Sequence, residues 1–388
     1  MKNWKIWSCL FVAWIGWAGG PLPATDCTGI YYADGGVVLA GNNEDYWRPD
    51  TRMWFVPSEG KTHGRVYFGF SDMYPQGGMN EKGLFFDGFA TFKLPLKDQA
   101  GKLVFRGNLI DKAMADCGSV AEVVSLLENY DLSFLASAML MFGDKHGDSV
   151  IIEGDDILRK KGSHQVVTNF YQSRMTAENY NCARFESANA IIKKNAKVDV
   201  AVMRRALAAT HIERESPTQY SNIYDLTNGV IYLYHFHNFQ NEVVINLAEE
   251  LAKGKRVVEI ASLFPTTFAW TQYLKEAEQK LQKEIDKRRD AGVRSWVFQP
   301  LAGSYKVTTK TSRWEKVMVF LKDSKLMVQV DDQPAEELIP EGKDRYFHVD
   351  FNGSYTFEFQ RNKNGQVTGL DFVGSGVKIH AERRLLND

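Results

Sequence analysis

The sequence predicts an α+β fold followed by a small all-β module. Three features carry that expectation. Strand-type runs alternate with amphipathic helices as far as Phe239. A long, charge-laden helix then spans Thr271 to Ala291 and closes at Gly292. From Pro300 onward, short alternating segments recur between turn residues, the pattern of an antiparallel sandwich or barrel. These features place a first domain at 27–270, a connecting helix at 271–299 and the C-terminal module at 300–388.

Each element has a local reason. Thr28 to Tyr32 and Val37 to Ala40 flank Ala33-Asp34-Gly35-Gly36, and Asp-Gly between β-rich runs signals a tight hairpin. Val66 to Phe70, Gly83 to Phe89, Ala138 to Phe142 and Ser149 to Glu153 read as further strands. Ser119-Val120-Ala121-Glu122 is a capping box, followed by the apolar stripe Val120, Val123, Val124 and Leu127. Ala183 to Lys194 and Asp199 to His211 have helical periodicity, and Asn222 to Asn238 returns to strands. In the long helix Leu274, Ala277, Leu281 and Ile285 form a narrow stripe, too short a repeat for a coiled coil. The module's segments run from Gly303–Val307 to Val377–Ala381, punctuated by Asp323-Ser324, Asp331-Asp332, Asn352-Gly353 and Asn364-Gly365.

Of 388 residues, 47 are Lys or Arg and 48 are Asp or Glu, a formal charge of −1. That balance gives no global field for nucleic acid or an anionic membrane surface. Lys2 and Lys5 precede an apolar stretch from Ile6 to Ala18, broken by Gly19, Gly20, Pro21 and Pro23. This is the layout of a secretory signal peptide, and the run is short for a membrane span. Residues 1–26 are therefore expected to leave, and the mature protein to be periplasmic or extracellular with no transmembrane anchor. Of the four cysteines, Cys9 would leave with them. Cys27, Cys117 and Cys182 remain, so at least one thiol is unpaired within a chain; Cys117 and Cys182 either pair or stay reduced.

The informative motifs are Cys27-Thr28-Gly29, Gly41-Asn42-Asn43-Glu44-Asp45, Gly78-Met79-Asn80-Glu81-Lys82-Gly83-Leu84, Thr168-Asn169 and Arg184-Phe185. In this order and spacing the chain resembles the choloylglycine hydrolase and penicillin V acylase family. It also resembles the related acid ceramidase-like and isopenicillin acyltransferase-like linear-amide hydrolases. The likeness runs from Cys27 to Phe239, and Leu301 to Tyr305 opens a segment resembling lipocalin-like modules of some hydrolases. The resemblance implies a four-layer αββα N-terminal-nucleophile hydrolase sandwich and a small N-acylated substrate, with no cofactor and no metal.

Such chemistry needs a thiolate, a proton shuttle and oxyanion donors, because an amide carbonyl is a poor electrophile. As residue one, Cys27 would carry an α-amine with an unperturbed pKa of about 7.7–8.0, suited to a general base at neutral pH. By the resemblance, Asp45 would hold the Cys27 amine or thiol, and the Asn169 side chain and the Ala90 N–H would bind the oxyanion. Arg184 would place positive charge beside the thiolate. The family's Gly-Arg-Asn-x-Asp is Gly-Asn-Asn-Glu-Asp here, so Asn42 stands where an arginine is usual. Either Arg184 or Arg48 would then compensate, or this branch would take a different substrate or turn over more slowly.

Other readings are weaker. A cysteine after a signal peptide can be a lipid attachment site, but Asp26 before it fits poorly. A non-catalytic exported binding protein that keeps the fold is the alternative of a different class, and an amine acceptor in place of water would make an acyltransferase. His235 and His237 would share a strand face and could begin a metal site, but no third ligand stands at convincing spacing, and aromatic strand packing is the reading preferred. Ser58-Glu59-Gly60-Lys61 matches Ser-x-x-Lys, yet Pro57 and Gly60 make it a turn where that motif must open a helix.

Overall fold

The computed structural model describes residues 27–384 apart from 94–95, 98, 100, 106, 177–181, 215, 310–311, 313, 332, 334, 351–352 and 375–376. The expected signal segment lies outside the described residues. The described chain falls into two compact units that meet in sequence between Trp270 and Thr271.

The first unit runs β1 (Thr28–Asp34), β2 (Val37–Asp45), β3 (Thr51–Val56), β4 (Arg65–Phe70), β5 (Pro75–Asn80), β6 (Leu84–Ala90), α1 (Leu109–Asp116), α2 (Val120–Leu127), β7 (Ala138–Asp144), β8 (Ser149–Glu153), β9 (Asp156–Arg159), β10 (His164–Val167), α3 (Ala183–Lys194), α4 (Val200–Thr210), β11 (Thr218–Asp225), β12 (Val230–His235), β13 (Asn238–Asn246), α5 (Leu247–Leu251) and β14 (Arg256–Glu259). Two sheets result, one ordered β10-β1-β2-β11-β12-β13 and the other β14-β3-β4-β5-β6-β7-β8-β9. Strand alternation assigns the faces. Tyr31, Val38, Ala40, Tyr220 and Tyr224 of the first sheet share one core with Phe55, Phe68, Phe85, Phe89 and Met141 of the second. On the second sheet's other face, Leu84, Phe86 and Leu140 pack with α1 and α2. On the first sheet's other face, Ile30, Leu39 and Ile223 pack with Ala188 and Ile192 of α3 and Val202, Met203 and Leu207 of α4.

Local signals act as expected in several places. Ser119 Oγ accepts from the Glu122 N–H at 3.3 Å, and the Glu122 carboxylate accepts from the Gly118 N–H at 2.7 Å. The β1–β2 turn sits one residue later than Asp-Gly suggests. Its central pair is Gly35-Gly36, at φ 59° and 82°, while the Asp34 carboxylate accepts from the Gly35 N–H at 2.8 Å. The three cysteines of the described chain are free, so Cys117 and Cys182 do not pair.

The long helix is α6 (Phe268–Arg288), which runs across the Trp270–Thr271 boundary and starts and ends three residues before the expected span. Leu281 and Ile285 of its stripe pack against Ile339, Phe347 and Val349, and Arg288 bridges to Glu341 at 3.0 Å. Eight strands follow and close into a barrel: β15 (Gly303–Val307), β16 (Lys316–Lys322), β17 (Lys325–Val330), β18 (Glu336–Pro340), β19 (Arg345–Asp350), β20 (Gly353–Arg361), β21 (Val367–Gly374) and β22 (Val377–Arg383). Tyr305, Val319, Leu326, Tyr346, Phe359 and Leu370 share its buried cluster, and β15 closes the ring against β22. No helix among the described residues is long and apolar enough to cross a membrane.

Candidate active site

Cys27 immediately precedes β1 and is buried in the core between the two sheets of the first unit. Its thiol donates toward the Asp45 carbonyl at 4.0 Å. The contact with Asp45 is thus through the main chain; the Asp45 carboxylate receives the Thr218 hydroxyl. Burial first, then the Glu44 and Asp45 carboxylates, push the Cys27 thiol well above its ordinary range.

Arg184, at the start of α3, reaches back to this point. One guanidinium nitrogen donates to the Cys27 carbonyl at 2.7 Å and to Thr28 Oγ1 at 3.1 Å, and the other lies 3.4 Å from Asn169 Oδ1. Asn169 in turn donates to the Ala90 carbonyl at 2.9 Å. Thr91 N–H bonds Ser137 O at 3.1 Å, so antiparallel alternation turns the N–H and C=O of Ala90 away from β7. Cys27, Asn169, Ala90 and Arg184 are therefore linked through a chain of short polar contacts. Arg184 orients the Asn169 amide, and one amide hydrogen is already committed to Ala90.

Asn42 and Arg48 are placed differently from each other. Asn42 is buried and accepts from Asn222 Nδ2 of the adjacent strand at 3.2 Å. Arg48 is also buried, but its guanidinium binds Asp50 at 2.7 Å and Asp72 at 2.8 Å, over the Phe70 ring. Two carboxylates already answer its charge, which corrects the expectation that it could compensate near Cys27. Of the two arginines considered, Arg184 is the one beside the cysteine.

The structure adds groups that sequence reasoning passed over. Glu44 alternates with Asn42 on the inner face of β2, and burial followed by the nearby Asp45 charge raises its carboxyl from 4.5 to about 8. Asp87 of β6 is held well above its ordinary range by burial and then by Glu44. Glu44 Oε2, the Asp87 carboxylate oxygens and the Tyr220 hydroxyl have no hydrogen-bond partner of ordinary geometry among the described residues. Burial first, then Glu44, Tyr224, Asp87 and Cys27, push the Tyr220 hydroxyl well above its ordinary range. A signal for Asp87 was available. It sits at the alternate position between Phe85 and Phe89 in Leu-Phe-Phe-Asp-Gly-Phe-Ala, where a core-facing apolar residue is expected.

The motif Gly78-Met79-Asn80-Glu81-Lys82-Gly83 serves as a brace. Asn80 Nδ2 donates to the Met114 and Cys117 carbonyls, each at 2.8 Å, and Asn80 Oδ1 accepts from the Lys82 and Leu84 N–H groups at 3.0 and 3.1 Å. It locks the turn between β5 and β6 to the end of α1.

No protein-family model matches the sequence, and no curated protein matches it. Among solved structures, the chain is similar to a conjugated bile acid hydrolase from Clostridium perfringens, at 18% identity and a TM-score of 0.47. That likeness covers 62% of this chain and 97% of the other. It is similar to penicillin V acylase from Agrobacterium tumefaciens at 16% identity and a TM-score of 0.47, covering 60% and 90%. It is also similar to a Caenorhabditis elegans N-acylethanolamine-hydrolyzing acid amidase ortholog, at 13% identity and a TM-score of 0.40, covering 52% and 93%.

Proposed function

We propose that this chain is an exported cysteine amidohydrolase of the N-terminal-nucleophile type, with a four-layer αββα first domain, acting on linear amides of N-acylated small molecules. The observation that carries the reading is the position of Cys27. It stands at the head of an inner strand, buried beside carboxylates, and Arg184 ties its carbonyl to Asn169.

Removal of the residues through Asp26, by a signal peptidase and then by cleavage before Cys27, converts a peptide nitrogen into an α-amine. With a pKa of about 7.7–8.0 when unperturbed, that amine takes the thiol proton and becomes an ammonium. It would stand close to Asp45, whose negative charge favours the ammonium form. The amine therefore supplies what the surroundings deny the thiol: a local base and, once protonated, a cation beside the thiolate. Sulfur attack on the substrate carbonyl generates an oxyanion, for which the remaining Asn169 amide hydrogen and the Ala90 N–H are the donors. The ammonium then protonates the leaving amine, and water releases the acid from the thioester by the reverse proton route. Arg184 acts as a positioning residue for Asn169 and adds positive charge at the Cys27 main chain.

The test is mass spectrometry of the mature N-terminus together with a panel of N-acyl substrates. We expect a free Cys27 amine, turnover by the wild type, and none above background for Cys27→Ala. Equal turnover by the wild type and Cys27→Ala, or full activity in a chain retaining Thr25-Asp26, overturns the proposal.

A further inference from the structure

We infer that His211, Glu213 and His237 form a binding site for a divalent transition metal of the zinc class, separate from Cys27. The ligand-capable atoms of the three side chains lie within 4.8 Å of one another. His211 follows the last residue of α4, and its Nε2 is 3.1 Å from a Glu213 carboxylate oxygen. Tetrahedral bonds of about 2.0–2.1 Å put neighbouring ligand atoms roughly 3.3 Å apart, so this pair already has ligand spacing.

Two features distinguish the cluster from a chance surface group. The first is the His211 tautomer. Its Nδ1 lies 2.5 Å from the Ala208 carbonyl of the last helical turn and must donate there. That hydrogen bond aims Nε2 at the cluster, as a backbone carbonyl commonly does for a metal-bound histidine. A lone pair on Nε2 facing a carboxylate is repulsive, so a proton or a cation must lie between them. His237 supplies a second imidazole. The two rings stack at 5.5 Å.

The second feature is the turn that carries His237. Phe236 and His237 link β12 to β13 with φ of 47° and 48°, a two-residue turn that favours Asn-Gly. Phe236 is accounted for by its ring contact with Trp270 at 5.1 Å. The His237 ring lies between that of Phe236, at 4.4 Å, and that of His211, at 5.5 Å. Such conformations persist where a local purpose holds them. His235 takes the aromatic packing expected of it, buried against Phe264 and Trp270, and the histidine that meets His237 comes from the end of α4.

A metal here would clip the segment leaving α4 to the β12–β13 turn. Ile212, between two of the ligands, exchanges hydrogen bonds with Thr218: its N–H donates to Thr218 Oγ1 at 2.9 Å, and its carbonyl accepts from the Thr218 N–H at 2.9 Å. Thr218 in turn donates to Asp45, so the clip would stiffen the support of that carboxylate.

The experiment titrates zinc chloride into chelator-treated full-length chain by calorimetry, repeats it with cobalt(II) by visible absorption, and follows thermal unfolding. The wild type should bind one equivalent of Zn2+ per chain, give the intense visible bands of tetrahedral Co2+, and unfold at a higher temperature with metal than without. His237→Asn suits the left-handed position, so it should fold as well as the wild type yet bind Zn2+ at least about tenfold more weakly. Glu213→Gln is on the surface and should weaken binding without altering the unligated transition. His146→Asn, an exposed histidine elsewhere, should change nothing. Absence of saturable Zn2+ binding, or binding undiminished in His237→Asn and Glu213→Gln, overturns the assignment. It would leave a plain His211–Glu213 hydrogen bond, and neither result depends on amidohydrolase activity.

Discussion

Replacing Glu44 with glutamine should invert the usual effect of removing a charge, because the native carboxyl is held protonated. Its pKa rises from 4.5 to about 8, through burial and then the Asp45 charge, and the side chain is only 4% exposed. Between those two values the folded chain keeps a proton that the unfolded chain has released. Stability is therefore full below about pH 4.5 and falls as pH rises toward 8, at about 1.4 kcal/mol per pH unit for one such group. Across the interval the loss approaches about 5 kcal/mol as a ceiling, and local rearrangement on ionisation will reduce it. Glutamine keeps the shape and cannot ionise. Glu44→Gln should thus match the wild type near pH 5 within about 1 kcal/mol and exceed it near pH 8 by about 2 kcal/mol or more. Asp87 is shifted the same way, so the single variant should retain some pH dependence and Glu44→Gln/Asp87→Asn very little. Urea unfolding followed by tryptophan fluorescence, at intervals between about pH 5 and 8, measures this. Parallel stability curves for the wild type and Glu44→Gln would refute the reasoning.

Asn80→Ala removes four hydrogen bonds, three of them buried, and takes the partner from two carbonyls and two N–H groups. It should cost about 3 kcal/mol in chemical denaturation, and Asn80→Asp should not rescue it, because a carboxylate cannot donate to the Met114 and Cys117 carbonyls. Gly29→Ala would bring a Cβ to 2.5 Å from the Phe89 ring and 2.8 Å from Val167 Cγ1. The expected cost is about 1–3 kcal/mol, partly recovered in the double variant with Phe89→Leu; simple additivity of the two changes would argue against the contact.

Much of the local structure was readable along the chain. The Ser119–Glu122 capping box, the limits of α3, the hairpin before Val37 and the β-strand rhythm after Pro300 depend on residues a few positions apart. Their signals are turn chemistry, capping and periodicity, which need no knowledge of the rest of the fold. The grouping of Cys27, Asp45, Asn169, Ala90 and Arg184 rested on motif order, and the structure links them through specific hydrogen bonds.

Tertiary structure decided which charges meet. Glu44 and Asp87 come near each other because β2 and β6 belong to facing sheets and both residues fall on the inward parity. His237 meets His211 across the β12–β13 turn and the end of α4, and Arg48 is diverted to Asp50 and Asp72. Sheet order, strand register and helix placement fix these encounters between residues distant in sequence. Burial then sets their electrostatics, since a carboxyl or thiol acquires its working pKa only from the solvent and neighbours that folding leaves it.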